Sequence, residues 1–87
     1  MKELKVTITH QVGLHARPAA LFVKTASKYS SNVTLSYNGK TKNARSMLGV
    51  LSMGVGANAE ITIQAKGEDE EEVIIALDEL IKDNFGE

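Results

Sequence analysis

Apolar residues in this chain recur at two spacings, and the order in which those spacings alternate restricts the fold more than any single motif. Leu4, Val6 and Ile8 alternate with Lys5, Thr7 and Thr9, the period of a half-buried strand. From Ala16 to Lys28 the set Ala19, Phe22, Val23 and Ala26, followed by Tyr29, falls at helical spacing, with Lys24 and Lys28 turned outward. Val33, Leu35 and Tyr37 alternate once more within 32–37. Asn38-Gly39 is a strong type I′ hairpin signal, and Lys40 to Asn43 returns antiparallel with lysines in place of large apolar groups, as an exposed sheet edge requires. Ser46 can cap and Gly54 can end a short helix between them. Ile61, Ile63 and Ala65 mark one face of a fourth strand over Glu60 to Lys66, which Gly67 breaks. Asp69 then caps a last helix with an acidic first turn and an apolar stripe of Val73, Leu77, Leu80 and Ile81, ending at Asn84 and Gly86.

The resulting order is strand, helix, strand, strand, helix, strand, helix. Four half-buried strands and three one-sided helices require two layers, so the fold class is α+β with the helices on one sheet face. The first two strands are separated by a helix and do not pair as a hairpin. The ferredoxin-like arrangement shares most of this order, and periodicity does not separate the two. With 87 residues, a single domain over 1–87 is expected. A chain of that length buries only about 60–65% of its unfolded surface, which leaves little room for a catalytic cleft.

Charge and composition narrow the function. The net charge of −1 gives no global field for nucleic acid, and tryptophan is absent, so a base-stacking platform is disfavoured. The halves do differ: Lys24, Lys28, Lys40, Lys42 and Arg45 precede an acidic run from Glu68 to Glu72, which reads as helix-start chemistry and not as a metal site. The absence of cysteine removes disulfides, thiol catalysis and zinc-thiolate sites together. The opening Met1-Lys2-Glu3-Leu4 lacks the apolar core of a signal peptide and no run reaches membrane-spanning length, so a cytoplasmic protein is expected.

The chemistry concentrates in Gly13-Leu14-His15-Ala16-Arg17-Pro18-Ala19-Ala20. Pro18 suits the first turn of a helix, which puts His15 at or beside the N-cap. Unpaired N–H groups and the helix dipole make such an end welcoming to anions, and Arg17 adds a planar cation that matches a phosphoryl group. Gly13 supplies positive φ or a close backbone approach just upstream. In its neutral form an imidazole has a ring nitrogen free to act as a nucleophile. A phosphoryl group on histidine transfers readily because neutral imidazole is a willing leaving group, which suits a carrier better than a hydrolase. His10 reads as a solvated loop side chain. Between Ser46 and Gly54, the residues Met47, Leu48, Val50, Leu51 and Met53 cannot all face inward from so short a helix, so some form an exposed apolar patch suited to docking a protein.

Together, the His15 stretch and Asn43-Ala44-Arg45-Ser46-Met47-Leu48-Gly49-Val50 closely resemble the histidine-containing phosphocarrier (HPr) family of the bacterial phosphoenolpyruvate-dependent sugar phosphotransferase system. The resemblance covers essentially the whole chain. It implies an open-faced β-sandwich, βαββαβα, in which the fourth strand lies between the first two. It also implies that His15 accepts a phosphoryl group on Nδ1 from phosphorylated Enzyme I and hands it to the A domains of Enzyme II. Arg17 would balance the phosphoryl charge, the amides of Ala16 and Arg17 would bind its oxygens, and Met47, Leu48 and Leu51 would dock partners. Ser46 would be the regulatory phosphorylation site of HPr kinase/phosphorylase, linked to carbon catabolite repression. No cofactor or metal is implied, no nucleic-acid or membrane partner, no turnover by the carrier alone, and the monomer is the expected state. Arg45 stands where lysine is common in the family, and Val12 lacks the hydroxyl or amide some members carry before the glycine. A nucleic-acid-binding domain and a small acyl-phosphate hydrolase are the rivals from other classes.

Overall fold

Each switch of spacing becomes a change of element. The computed structural model describes residues 1–9 and 13–86, so the readings of His10 and Val12 lie outside the described residues. The order is β1 (Lys2–Thr7), α1 (Ala16–Ser27), β2 (Asn32–Tyr37), β3 (Lys40–Asn43), α2 (Met47–Ser52), β4 (Glu60–Lys66) and α3 (Glu70–Lys82), closed by a 3-10 turn at Asn84–Gly86.

The strands form one antiparallel sheet in the order β1-β4-β2-β3. Ile63 of β4 is paired with Leu4 on one side and Leu35 on the other, so the most continuous apolar strand occupies an inner place. This pairing of β4 with both β1 and β2 selects the open-faced sandwich over the ferredoxin-like arrangement. Alternation puts Val33, Leu35, Ile61, Ile63 and Ala65 on the covered face, where all are buried. The opposite face is polar, with a side-chain hydrogen bond of 2.9 Å between the hydroxyls of Ser36 and Thr41. At the β2–β3 hairpin Asn38 and Gly39 both take positive φ (52° and 81°), as a type I′ turn demands. β3 is exposed at all four positions, the lysine-protected edge expected from its composition.

Helices cover one side. α3 packs on β1 and β4, α2 lies beside β3, and α1 packs on both other helices. Phe22 and Ala26 of α1, Val50 of α2 and Val73, Leu77 and Ile81 of α3 join the sheet residues in one core. Burying a side chain such as Phe22 fully contributes about 1.5–3 kcal/mol. Val23, Tyr29 and Leu80, read as part of the same stripes, are half-buried at its margin. No helix among the described residues is long and apolar enough to cross a membrane.

One local expectation is corrected. Asp69 occupies the N-cap position of α3, but its side chain makes no capping hydrogen bond. The carboxylate instead accepts the backbone N–H groups of Ser30 at 2.8 Å and Ser31 at 2.9 Å, together with the Ser31 hydroxyl. Ser31 is buried, so its donors need an acceptor inside the fold, and Asp69 is the group within reach.

Candidate functional site

The approach to α1 is built against the chain that follows α2. Gly13 takes a φ of +78°, and a Cβ there would fall 2.3 Å from the Val55 carbonyl oxygen and 2.7 Å from the Gly56 Cα. The next residue, Leu14, is buried and donates its N–H to that same carbonyl at 2.9 Å. His15 follows in extended conformation (φ −83°, ψ −172°) as the N-cap of α1, the position expected for it. Its carbonyl accepts the Ala19 N–H at 2.9 Å, while its side chain makes no capping bond and is half-buried at the surface.

Ala16 and Arg17 are the first two residues of α1 and both are exposed. Pro18 has no N–H to offer, and the Ala19 N–H is donated to the His15 carbonyl, which closes the first turn of α1. Pro18, Ala19 and Phe22 are buried beneath them and fix the end of the helix against the core. The three residues singled out for phosphoryl chemistry, His15, Ala16 and Arg17, thus stand consecutively at one helix start.

Ser46 is the N-cap of α2, and its Oγ accepts the Gly49 N–H at 3.1 Å. The turn before it is shaped by Asn43, whose side-chain oxygen takes the Arg45 N–H at 2.9 Å and whose carbonyl takes the Ser46 N–H at 3.1 Å. Gly49 leaves room at this corner, since a Cβ there would lie 3.2 Å from Ser46 Oγ and 3.5 Å from Lys42 Cβ. The apolar run divides as its crowding requires. Val50 and Met53 are buried, Met47 is half-buried, and Leu48 and Leu51 are 80% and 38% exposed.

α1 and α2 pack on one another, and the connection after α2 is bonded to the approach to α1 through Val55 and Leu14. Two surface hollows of about 200 and 340 Å³ lie elsewhere, the first lined by Met1, Asn32, Thr34, Gln64, Ala65 and Lys66, the second by Lys2, Glu71, Ile74 and Ile75. Neither contains His15, Arg17 or Ser46. At the His15 end of α1, His15 is half-buried and Ala16 and Arg17 are exposed.

Sequence reasoning assigned nothing to the connection between α2 and β4, although Val55 and Gly56 stand against Gly13 and Leu14. Its available signal was the pair of glycines, Gly54 and Gly56, on either side of a buried valine.

The family described as PTS HPr component phosphorylation site matches residues 2–83. HPr-C-His of Thermoanaerobacter tengcongensis is 49% identical, with 100% of this chain and 98% of that chain covered and a TM-score of 0.98. The histidine-containing phosphocarrier protein of a mycoplasma is 42% identical over 95% of this chain and 96% of its own, with a TM-score of 0.90. Crh, the catabolite repression protein of Bacillus subtilis, solved as a domain-swapped dimer, is 41% identical over 95% of each chain, with a TM-score of 0.76.

Proposed function

From the premise that this chain belongs to the HPr family of phosphotransferase-system phosphocarriers, we propose that it accepts a phosphoryl group from Enzyme I on His15 and delivers it to the A domains of Enzyme II. One observation carries this reading: His15 is the N-cap of a buried-footed helix whose next two residues, Ala16 and Arg17, are exposed beside it.

In the forward step the lone pair of the His15 Nδ1 attacks the phosphorus of the phosphorylated donor. The new N–P bond forms as the donor's bond to phosphorus breaks, its electron pair returning to the donor atom. The phosphoryl oxygens then lie toward the first-turn amides and the Arg17 guanidinium, which offset their charge. Delivery is the same displacement with His15 as leaving group. An intermediate that keeps its phosphoryl group until a partner arrives would give no turnover by the carrier alone.

Ser46 is the site for regulatory phosphorylation by HPr kinase/phosphorylase. A phosphate on this cap residue would sit at the positive end of α2 while placing up to two negative charges beside Met47 and Leu48. Met47, Leu48 and Leu51 would form the apolar patch on which Enzyme I and the A domains dock, and the charge would therefore weaken docking. The 87 residues act as one domain, in the cytoplasm and as a monomer, with no nucleic-acid partner. The domain-swapped assembly of Crh is the alternative that sedimentation would detect.

Incubation with phosphoenolpyruvate and Enzyme I tests the proposal. A carrier gains the mass of one acid-labile phosphoryl group and stops, then loses it on addition of an A domain. Release of inorganic phosphate without any partner would favour the hydrolase instead.

A further inference from the structure

An N-cap residue is held by α1 on one side only, so the direction of His15 also depends on what precedes it. The backbone of the segment 13–14 is seated on that of Val55–Gly56. Leu14 donates its N–H to the Val55 carbonyl at 2.9 Å, and Gly13 approaches the same carbonyl so closely that its missing Cβ would lie 2.3 Å away. Both Val55 and Leu14 are buried. The acceptor is itself fixed at both ends. On one side the N–H groups of Met53 and Gly54 close the last turn of α2 on Val50 and Leu51; on the other, Asn58 donates to the Ile8 carbonyl at 2.7 Å and Ala59 accepts the Ile8 N–H at 2.8 Å.

We infer that the Val55 carbonyl, seated against the bare Cα of Gly13 and bonded to Leu14, is a positioning element for His15 that fixes where the imidazole stands relative to the first turn of α1. This rests on the carrier reading of His15 and assigns part of its machinery to a segment some forty residues away. Any side chain at position 13 must push the loop off Val55, because the obstacle is backbone and not a flexible side chain. Restoring ordinary contact from 2.3 Å requires a shift on the order of 1 Å, and a misplacement of that size can reduce a transfer rate by about 10²-fold.

Gly39 provides an internal reference. Its φ of +81° nearly equals that of Gly13, yet a Cβ there meets nothing within 4 Å. Gly39→Ala therefore carries the cost of positive φ alone, and Gly13→Ala carries the same cost plus the collision. Three quantities are measured on each variant in the full chain: the unfolding midpoint, kcat and KM for phosphorylation by Enzyme I, and the imidazole NMR signals of His15. Gly13→Ala should lower kcat about 10²-fold with the His15 signals displaced, while Gly39→Ala leaves both at wild-type values. Gly13→Asn, which tolerates positive φ but retains the Cβ, should behave as Gly13→Ala does.

Wild-type kcat and unmoved His15 signals in a folded Gly13→Ala protein would overturn the inference, as would rescue by Gly13→Asn. Should neither variant fold, replacing Leu14 by its α-hydroxy analogue removes the N–H that Val55 accepts, and sets an ester oxygen against the Val55 carbonyl, without adding a side chain at position 13. That ester variant should also displace the His15 signals, and unmoved signals would contradict the inference. A wild-type protein that takes nothing from Enzyme I would defeat the carrier reading, while the His15 signals would still decide the positioning role.

Discussion

Asp69 accepts two hydrogen bonds from Ser31 across 38 residues of chain, one from the backbone N–H at 2.9 Å and one from the hydroxyl. A third, from the Ser30 N–H at 2.8 Å, completes the set and fastens the start of α3 to the loop that enters β2. The Ser31 hydroxyl foremost, with the backbone bond from Ser30, holds the Asp69 carboxyl below the usual carboxylate range. Its contribution to stability is therefore present in full above the unfolded value near pH 3.9 and is lost as pH falls through the lower folded value. Asp69→Asn should lower the thermal midpoint near pH 7 and flatten the decline below about pH 4. Thermal melts across that range check this, and parallel curves for the two proteins would contradict it.

The same loop leaves no space for a side chain at Gly67. A Cβ there would lie 2.6 Å from Ser31 Oγ and 2.8 Å from Ser31 Cα, so the backbone itself must move and the Asp69 bonds must stretch. Gly67→Ala should cost about 1–3 kcal/mol, the range for forced overpacking. Denaturant unfolding measures it. A loss no larger than that of Gly39→Ala would show that the site relaxes freely.

What could be read from the sequence was what short-range pattern determines. The β1 and β4 alternations, the Asn38-Gly39 turn, the Ser46 cap and the place of His15 at the head of α1 all rest on residues within a few positions of each other. Strand order did not follow from periodicity, because the pairing of Leu4 with Ile63 joins segments nearly sixty residues apart, and it was the family resemblance that implied it. Asp69 illustrates the limit well. Its local context marks an N-cap, which is where it stands, but its carboxylate is claimed by buried Ser31 donors that no local signal announces. The Val55 carbonyl escaped notice for the same reason, since a backbone acceptor has no side-chain signature. Phe85 was unread too, and it is buried in the core with a φ of +57° at the turn after α3.

Removing the Ser46 hydroxyl and adding charge there should have separable effects. Ser46→Ala loses the bond to the Gly49 N–H and should cost about 0.5–2 kcal/mol of stability. Ser46→Asp retains an acceptor at the helix end, so stability is held, while the charge beside Met47 and Leu48 raises KM for Enzyme I. A tenfold rise corresponds to about 1.4 kcal/mol. Unfolding curves and steady-state kinetics on both variants check the pair, and an Asp variant with wild-type KM would remove the electrostatic account of regulation.

Leu48 and Val50, two residues apart on α2, should respond oppositely to truncation. Leu48 is 80% exposed and Val50 fully buried. Leu48→Ala should change folding stability by no more than about 0.5 kcal/mol yet raise KM for Enzyme I and the A domains. Val50→Ala should cost roughly 2 kcal/mol with little effect on KM in the folded fraction. Equal losses of stability, or a Leu48 variant that docks normally, would count against the patch.

Arg17→Ala should slow charging by about 10–100-fold, the equivalent of one lost charge-assisted bond of roughly 1.5–3 kcal/mol, and leave the unfolding midpoint near wild type. Rapid-quench phosphorylation by Enzyme I at saturating donor measures the step directly. An unchanged rate would mean that the guanidinium does not meet the phosphoryl charge.

The central claim is that the imidazole at the head of α1 holds the phosphoryl group, and the most direct test is to locate the phosphorus. The protein is charged with phosphoenolpyruvate and Enzyme I, and nitrogen and phosphorus NMR then identify the bonded atom. The account predicts one phosphorus per chain on Nδ1 of His15, and a His15→Ala protein that stays folded and takes none. Phosphorus on any other residue, or a His15→Ala protein that still carries it to an A domain, would contradict the account.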